Sequence, residues 1–92
     1  MENIRVLMID DNVNLVNMME EYFNNHKNIK MSLKGYDGIE GIKLIQERVN
    51  EYDLILLDLI MPNKDGVYVL EEMKKRNINK PVIISTSYNT DE

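Results

Sequence analysis

The stretch DLILLDLIMPNKDG, residues 53–66, combines an apolar run, an acidic residue and a turn. The run Asp53–Leu57 is almost continuously apolar, which is typical of a strand covered on both faces of a parallel sheet. Asp58 ends this strand, and Pro62 and Gly66 stand where turn chemistry favours them. Asp65 can cap a following helix. The stretch therefore predicts a buried strand that presents a carboxylate at its carboxyl end.

The same alternation of short apolar runs and longer amphipathic segments extends along the chain. It predicts three more strands, at Ile4–Ile9, Ile29–Leu33 and Val82–Ser85. Between them, three- and four-residue apolar spacings predict helices from Asn12 to about His26, from Asp37 to about Val49, and from Asp65 to about Asn77. In the first helix these spacings are shown by Leu15, Met18, Met19 and Tyr22, with Val16 and Phe23 alongside.

The order β-α-β-α-β-α-β predicts an α/β fold. Each right-handed crossover helix must cover a sheet face, so we expect a doubly wound parallel sheet of the flavodoxin-like kind. The expected strand order is 2-1-3-4. The second strand is short and more polar, which favours an edge position.

Composition limits the class of protein. The chain has 92 residues, which favours one domain spanning residues 1–92, and carries a formal net charge of −5, from 16 acidic and 11 basic residues. No basic stripe typical of nucleic-acid binding is present. There is no cysteine, no leader-like segment and no apolar run long enough for a bilayer. We therefore expect a soluble cytoplasmic protein that binds neither nucleic acid nor membrane.

Acidic and hydroxyl side chains follow the strands that should lie near the centre of the sheet. Asp10 and Asp11 end the first strand, Asp58 ends the third, and Thr86 ends the fourth. Ligands of open α/β sheets bind at these carboxyl ends, where the strand order reverses. Three carboxylates that lie close together repel by about 1–4 kcal/mol per pair, so a stable cluster requires a neutralising partner. Mg²⁺ suits such oxygen ligands and leaves room for a phosphate.

Taken singly, each aspartate has a simpler interpretation. One aspartate at a strand end is usually a helix cap or a turn residue. The combination of Asp10-Asp11 with Asp58, at the ends of two strands expected to be neighbours, favours a shared site instead.

Three segments resemble the signature segments of receiver domains in bacterial two-component response regulators: Ile9–Asn12, Leu57–Gly66 and Pro81–Ser87. The resemblance extends from Ile4 to about Tyr88, and within the family it is closest to receivers of sporulation-initiation regulators. It implies that a histidine kinase or a histidine phosphotransfer protein donates a phosphoryl group, with Mg²⁺ as the cofactor.

The resemblance also implies roles for single residues. Asp58 would be the phosphoacceptor, Asp11 a direct Mg²⁺ ligand and Asp10 a ligand acting through water. The backbone carbonyl of Ile60 would be the third protein ligand. Thr86 would be the switch hydroxyl and Ser87 a small neighbour that leaves space for the phosphoryl group.

The 92 residues also depart from the family pattern. Receivers normally have five βα units, and here the fifth is missing, together with the family's phosphoryl-binding lysine and switch aromatic. Neither Lys64 nor Lys80 stands where it could replace that lysine. We therefore expect a receiver domain incomplete at its C-terminus. Its exposed fourth strand would form a homodimer, exchange an element with a second copy, or be followed by further residues beyond Glu92.

Three classes of function remain open at this point. The first is a signalling module switched by phosphorylation, which is not a turnover enzyme. The second is a receiver-like interaction module without phosphoryl chemistry. The third is a Mg²⁺-dependent phosphatase that forms an aspartyl phosphate, but such enzymes would favour a second acid two residues after the first. Here the acids are adjacent, and Asn12 follows them.

Overall fold

The computed structural model describes residues 3–85, and its elements follow the order predicted from the sequence. Their bounds are β1 (Ile4–Ile9), α1 (Val13–Asn24), β2 (Ile29–Gly35), α2 (Gly38–Glu47), β3 (Leu54–Asp58), α3 (Gly66–Lys75) and β4 (Val82–Ser85).

All four strands run parallel in one sheet, in the order β2-β1-β3-β4. The predicted doubly wound fold and its strand order are confirmed, as is the edge position of β2. Strands β1 and β3 are neighbours although a helix, a strand and another helix separate them in sequence. The strand order therefore reverses between them, which is where this class of sheet binds ligands.

The helices cover the two faces of the sheet unequally. Inward side chains of α2 and α3 pack on one face, where Leu7, Ile9, Ile55 and Leu57 belong to the larger apolar core. On the other face, Val16 of α1 packs against Met8 and Met31 in a smaller core. Alternate residues of β1 thus enter opposite cores, which explains why that strand is continuously apolar from Val6 to Ile9.

Several boundaries differ from the sequence prediction. Helix α1 ends at Asn24, because the next two amides, of Asn25 and His26, each donate to a carbonyl three residues back, which tightens the final turn. Helix α2 ends at Glu47 and α3 at Lys75, each two residues before the predicted end. Strand β2 runs two residues beyond Leu33, to Gly35, and an irregularity in its pairing with β1 lies between Val6 and Leu7.

The apolar face of α1 is narrower than its sequence pattern suggested. Val16 is fully buried, whereas Met18 and Tyr22 are 64% and 58% exposed. The buried stripe runs through Val16, with Met19 and Phe23 partly buried beside it. Periodicity identified the helix correctly. Met18 and Tyr22 share its apolar spacing but are exposed, because α1 packs onto the sheet at β2 through the side that carries Val16.

Across residues 3–85, every helix falls short of the length and apolar character that crossing a membrane requires.

Candidate functional site

Pairing of β1 with β3 brings the acidic residues together. Ile9 lies opposite Leu57 in the parallel register, so Asp10 and Asp58 leave their strands at the same level. The Asp10 amide donates to the Gly35 carbonyl at 3.0 Å, which continues the pairing with β2. One carboxylate oxygen from each of Asp10, Asp11 and Asp58 lies within 4.8 Å of the other two. The predicted convergence of these three side chains is therefore present in the structure.

Burial makes this cluster electrostatically unfavourable. Asp10 and Asp58 are 4% and 2% exposed, whereas Asp11 is exposed. Burial is the main cause that raises the pKa of Asp58, and the charges of Asp10 and Asp11 raise it further. Burial likewise raises the pKa of Asp10, with a smaller contribution from Asp11. Each carboxyl accepts one backbone hydrogen bond that opposes this shift, from Ile60 to Asp58 and from Asn12 to Asp10.

The connection between β3 and α3, residues 59–65, wraps closely around Asp58. The Ile60 amide donates to Asp58 Oδ1 at 3.2 Å. The Ile60 side chain points outward and is 57% exposed, while Met61 turns inward and is 7% exposed. Asn63 has a left-handed backbone with φ of 65°. The backbone next to Asp58 is thus held by one buried anchor and one tight turn.

Gly66, at the start of α3, permits a close approach to this backbone. Its amide donates to the Leu59 carbonyl at 3.0 Å. A Cβ at this position would lie 2.6 Å from the Asp58 carbonyl oxygen and 2.7 Å from Leu59 Cα, closer than real Cβ contacts allow. Gly66 is therefore required for this close packing.

The predicted site residues divide into two groups. The first group is close together in the structure: Asp10, Asp11 and Asp58 form one cluster at the carboxyl ends of β1 and β3, and the Ile60 amide donates to Asp58. Thr86 and Ser87 lie outside residues 3–85, the part of the chain that the structure describes, so their roles stay predictions.

The two lysines discussed above make other contacts in the structure. Lys80 Nζ donates to the carbonyls of Val49 and Tyr52, both at 2.9 Å. Those carbonyls precede β3, so Lys80 stands at the opposite end of the strand from Asp58. Lys64 Nζ lies 5.3 Å from the centre of the Tyr68 ring, in the first turn of α3.

Sequence reasoning missed one contact beside the site. The Gly38 amide, at the start of α2, donates to the Lys64 carbonyl at 2.8 Å. From the sequence, Asp37-Gly38 indicated only a helix start. The available signal was a glycine in the first turn of a helix, where it has no helix-forming advantage.

The donor set fits a hard divalent cation. It consists of carboxylate oxygens, two of them from buried residues, and their mutual repulsion is relieved when a cation binds between them. It contains no thiolate, since the chain has no cysteine, and no histidine, since His26 lies beyond α1 against Tyr22. Oxygen-only ligation favours Mg²⁺ over softer metals.

Comparison with known proteins gives a consistent result. A family model described as the response regulator receiver domain matches residues 6–92. The transcriptional regulatory protein CiaR of Streptococcus pneumoniae (strain ATCC BAA-255 / R6) is 34% identical over 84 residues, which are 91% of this chain and 35% of that protein. The chain thus spans about a third of this curated relative.

Two solved structures illustrate the similarity in three dimensions. The response regulator domain of Thermotoga maritima CheB has a TM-score of 0.84 at 27% identity, covering 94% of this chain and 62% of that one. The receiver domain of the Francisella response regulator 1452 has a TM-score of 0.80 at 34% identity, covering 96% and 69%. The similarity therefore includes nearly all of this chain and about two thirds of each solved structure.

Proposed function

This chain belongs to the response regulator receiver domain family, and from that premise we propose that it is a phosphoacceptor in a two-component phosphorelay. In this proposal Asp58 accepts a phosphoryl group from a phosphohistidine, and the new charge switches the domain between two conformations. The observation that carries the proposal is the meeting of Asp10, Asp11 and Asp58 within 4.8 Å at the reversal point of the sheet.

The proposed step is a nucleophilic displacement at phosphorus. Asp58 Oδ1 keeps its hydrogen bond from the Ile60 amide, and Oδ2 attacks. A bond forms between Oδ2 and phosphorus while the bond from phosphorus to the donor imidazole nitrogen breaks. The leaving imidazole nitrogen takes up a proton from solvent, and the product is a mixed anhydride on Asp58. The domain contributes mainly position and electrostatics, as is usual in phosphoryl transfer.

The residues around Asp58 would hold Mg²⁺. We assign Asp11 as a direct ligand, Asp10 as a ligand through water, and Asp58 and the Ile60 carbonyl as the remaining protein ligands. When bound, the ion neutralises negative charge on the transferring group. The Asn12 amide, which donates to Asp10 Oδ1 at 2.9 Å, keeps Asp10 oriented toward the cluster.

Two further residues complete the proposal. Thr86 would donate its hydroxyl to a phosphoryl oxygen, and Ser87 would leave space for the group. Both follow β4, whose last residue, Ser85, lies opposite Asp58 in the sheet. That register of the described strand supports the roles proposed for the two residues.

The donor would be a histidine kinase or a histidine phosphotransfer protein. The segment around Asp58 favours a receiver like that of the sporulation-initiation regulator, stage zero sporulation protein A. The curated relative is a transcriptional regulatory protein, but we propose no nucleic-acid contact for these 92 residues, whose net charge is −5.

Phosphorylation by a small donor tests the proposal. The chain is incubated with acetyl phosphate, with and without Mg²⁺, and its intact mass is followed. We expect one added phosphoryl group that requires Mg²⁺ and is lost in Asp58→Asn. Asp53→Asn, which removes a carboxyl at the other end of β3, is the matched control and should still be phosphorylated.

Other outcomes of this experiment identify the alternatives. Mass unchanged in the presence of Mg²⁺ would contradict the proposal and favour an interaction module without phosphoryl chemistry. Continuous release of phosphate from an added phosphoester, with Asp58 required, would favour the phosphatase.

We also propose that β4 pairs with a second copy. Within residues 3–85 this strand pairs only with β3, and Ile83 and Ile84 are 54% and 43% exposed. Unpaired strand edges with apolar residues are templates for association. Light scattering should give twice the chain mass, and Ile83→Lys should restore a monomer. Val67→Lys, at an exposed position of α3, should not; a monomeric parent chain would contradict this proposal.

A further inference from the structure

The first turn of α2 touches the connection that follows Asp58. Besides the hydrogen bond from the Gly38 amide to the Lys64 carbonyl, the two backbones are in unusually close contact. A Cβ on Gly38 would lie 2.2 Å from Lys64 O and 2.7 Å from Lys64 C, whereas real Cβ atoms essentially never approach below 3.0 Å. No glycine among the described residues has a positive φ. Gly38 is therefore required for this approach and not for its backbone conformation.

The α2 side of this contact is held firmly. Asp37 caps the helix by accepting a hydrogen bond from the Glu40 amide at 2.8 Å. The Glu40 side chain in turn accepts one from the Tyr36 amide at 2.8 Å. Such reciprocal capping fixes the entry of the chain into the helix. Gly38 is buried within this first turn, so any added atom would displace the Lys64 side of the contact.

The Lys64 side belongs to the same segment that carries the Ile60 backbone. Gly66 holds one part of this segment against Asp58 and Leu59, as described above. Gly38 holds its far part at Lys64, immediately after the left-handed Asn63. Residues 59–65 are thus clamped at two points, with the Ile60 amide and Asp58 Oδ1 hydrogen-bonded between them.

We propose that Gly38 is a positioning residue for the metal and phosphoacceptor site. Through its contact with Lys64 it sets the path of residues 59–65 and so the position of the Ile60 backbone relative to Asp58 and Asp11. This inference rests on the proposed function. It adds a residue of α2, an element that contributes none of the acidic side chains, to the determinants of Mg²⁺ affinity.

Hydrogen exchange in the unmodified chain gives the first test. Gly38 occupies the first helical position, whose amide has no acceptor within the helix. Its exchange should nevertheless be slow, because Lys64 accepts the bond. If Mg²⁺ and the contact stabilise each other, Mg²⁺ should slow exchange at Gly38 by about fivefold or more relative to Gly41, whose amide bonds to Asp37 within the helix.

Each result of the exchange experiment is decisive. Rapid exchange at Gly38 in the folded chain would overturn the inference. A second result would also overturn it: Mg²⁺ binds, as seen in shifts of the Asp58 and Ile60 amide signals, but the ratio of the exchange rates of Gly38 and Gly41 does not change. The proposed function would not be contradicted by that result. If Mg²⁺ shifts no amide at the acidic cluster, the proposed function itself fails.

Three variants give the second test. Gly38→Ala should raise the Mg²⁺ dissociation constant by about tenfold or more, the usual effect of disturbing groups that orient metal ligands. Gly35→Ala is the matched glycine control, because a Cβ on Gly35 would lie 3.4 Å from its nearest neighbour, Leu44 Cδ1, which is an ordinary contact. This variant should bind Mg²⁺ with the affinity of the parent chain. Tyr52→Phe controls for lost stability, since it removes a buried hydrogen bond to the Ile45 carbonyl at the far end of the sheet.

Mg²⁺ affinity is measured by titration under conditions in which urea unfolding shows each variant to be folded. A loss confined to Gly38→Ala supports the inference. If Tyr52→Phe also loses Mg²⁺ affinity, and the losses in the two variants are proportional to their losses in the free energy of unfolding, Gly38 has only a structural role and the inference is overturned. If Gly38→Ala does not fold, the exchange experiment on the unmodified chain decides.

Discussion

Individual residues of the acidic cluster, which consists of Asp10, Asp11 and Asp58, lower the stability of this fold. Asp10 and Asp58 are almost completely buried, and the carboxylate oxygens of the cluster lie within 4.8 Å of one another. Their pKa values are raised because burial and neighbouring negative charge both disfavour the ionised form. Such an arrangement is typical of functional sites, where stability is lower than an optimised core would give.

Removing the Asp58 charge should therefore stabilise the metal-free chain. Asp58→Asn keeps an oxygen that can accept from the Ile60 amide and removes repulsion of about 1 kcal/mol or more. We expect the thermal midpoint in EDTA to rise by about 4–8 °C, as read from circular dichroism. Mg²⁺ should reduce the difference, because it stabilises the parent chain more. A lower midpoint in EDTA would contradict this prediction.

The exposed side chain of Ile60 should slow loss of the phosphoryl group. An apolar side chain cannot orient a hydrolytic water, whereas an amide could donate or accept one hydrogen bond. Ile60→Asn should speed dephosphorylation roughly tenfold, which corresponds to one such bond in the transition state. The decay of the phosphorylated mass measures this. Val67→Asn, another exposed apolar position, should leave it unchanged, and an equal or slower decay in Ile60→Asn would refute the idea.

At the scale of elements, the helices begin with side-chain caps. Asn12, Asp37 and Asp65 each accept a hydrogen bond from the amide three residues ahead. All three caps lie near the carboxyl ends of the strands, as the acidic cluster does, because each helix that follows a parallel strand starts at that strand's carboxyl end. Asn12, and not its neighbour Asp11, is the cap of α1. Asp11 is left to join the acidic cluster.

Loss of a cap should destabilise without changing the fold. Asp37→Ala should lower the free energy of unfolding by about 1 kcal/mol, because the Glu40 amide loses its acceptor. Asp37→Asn retains an acceptor oxygen and should cost little. Urea unfolding should show a shifted midpoint with an unchanged slope. A loss as large in Asp37→Asn would indicate that charge, and not capping, is the cause.

At the scale of the whole molecule, ion pairs join distant parts of the chain away from the site. Arg5 binds Asp53 through its side chain and its backbone amide, over a separation of 48 residues. These hydrogen bonds from Arg5 lower the pKa of Asp53 to about 2. The pair links the start of β1 to the residue before β3. It therefore lies at the amino ends of these strands, whereas Asp58 lies at the carboxyl end of β3.

This pair predicts a pH dependence of stability. Since the folded-state pKa of Asp53 lies below its ordinary value of 3.8, its stabilising effect is complete above that value and is lost as the pH falls toward 2. Asp53→Asn should therefore unfold more easily than the parent chain at pH 7, and the difference should shrink below about pH 4. Urea midpoints from pH 7 to 3 test this; a constant difference would contradict it.

The sequence alone determined the order of elements, the sheet topology and the convergence of Asp10, Asp11 and Asp58. These features follow from periodicity, capping residues and the chirality of crossovers, which act locally or apply to every parallel sheet. The ends of α1, α2 and α3 were each placed about two residues too late, because the closing turns depend on which carbonyls the last amides reach.

Only the tertiary structure decided which apolar and small residues matter. Met18 and Met19 are adjacent methionines in α1, yet Met18 is exposed and Met19 partly buried. Gly38 resembles any helix-start glycine until Lys64, 26 positions away in the sequence, is packed against it. Contacts of this kind depend on how helices and strands pack together in space. A local pattern of residue types does not determine that packing.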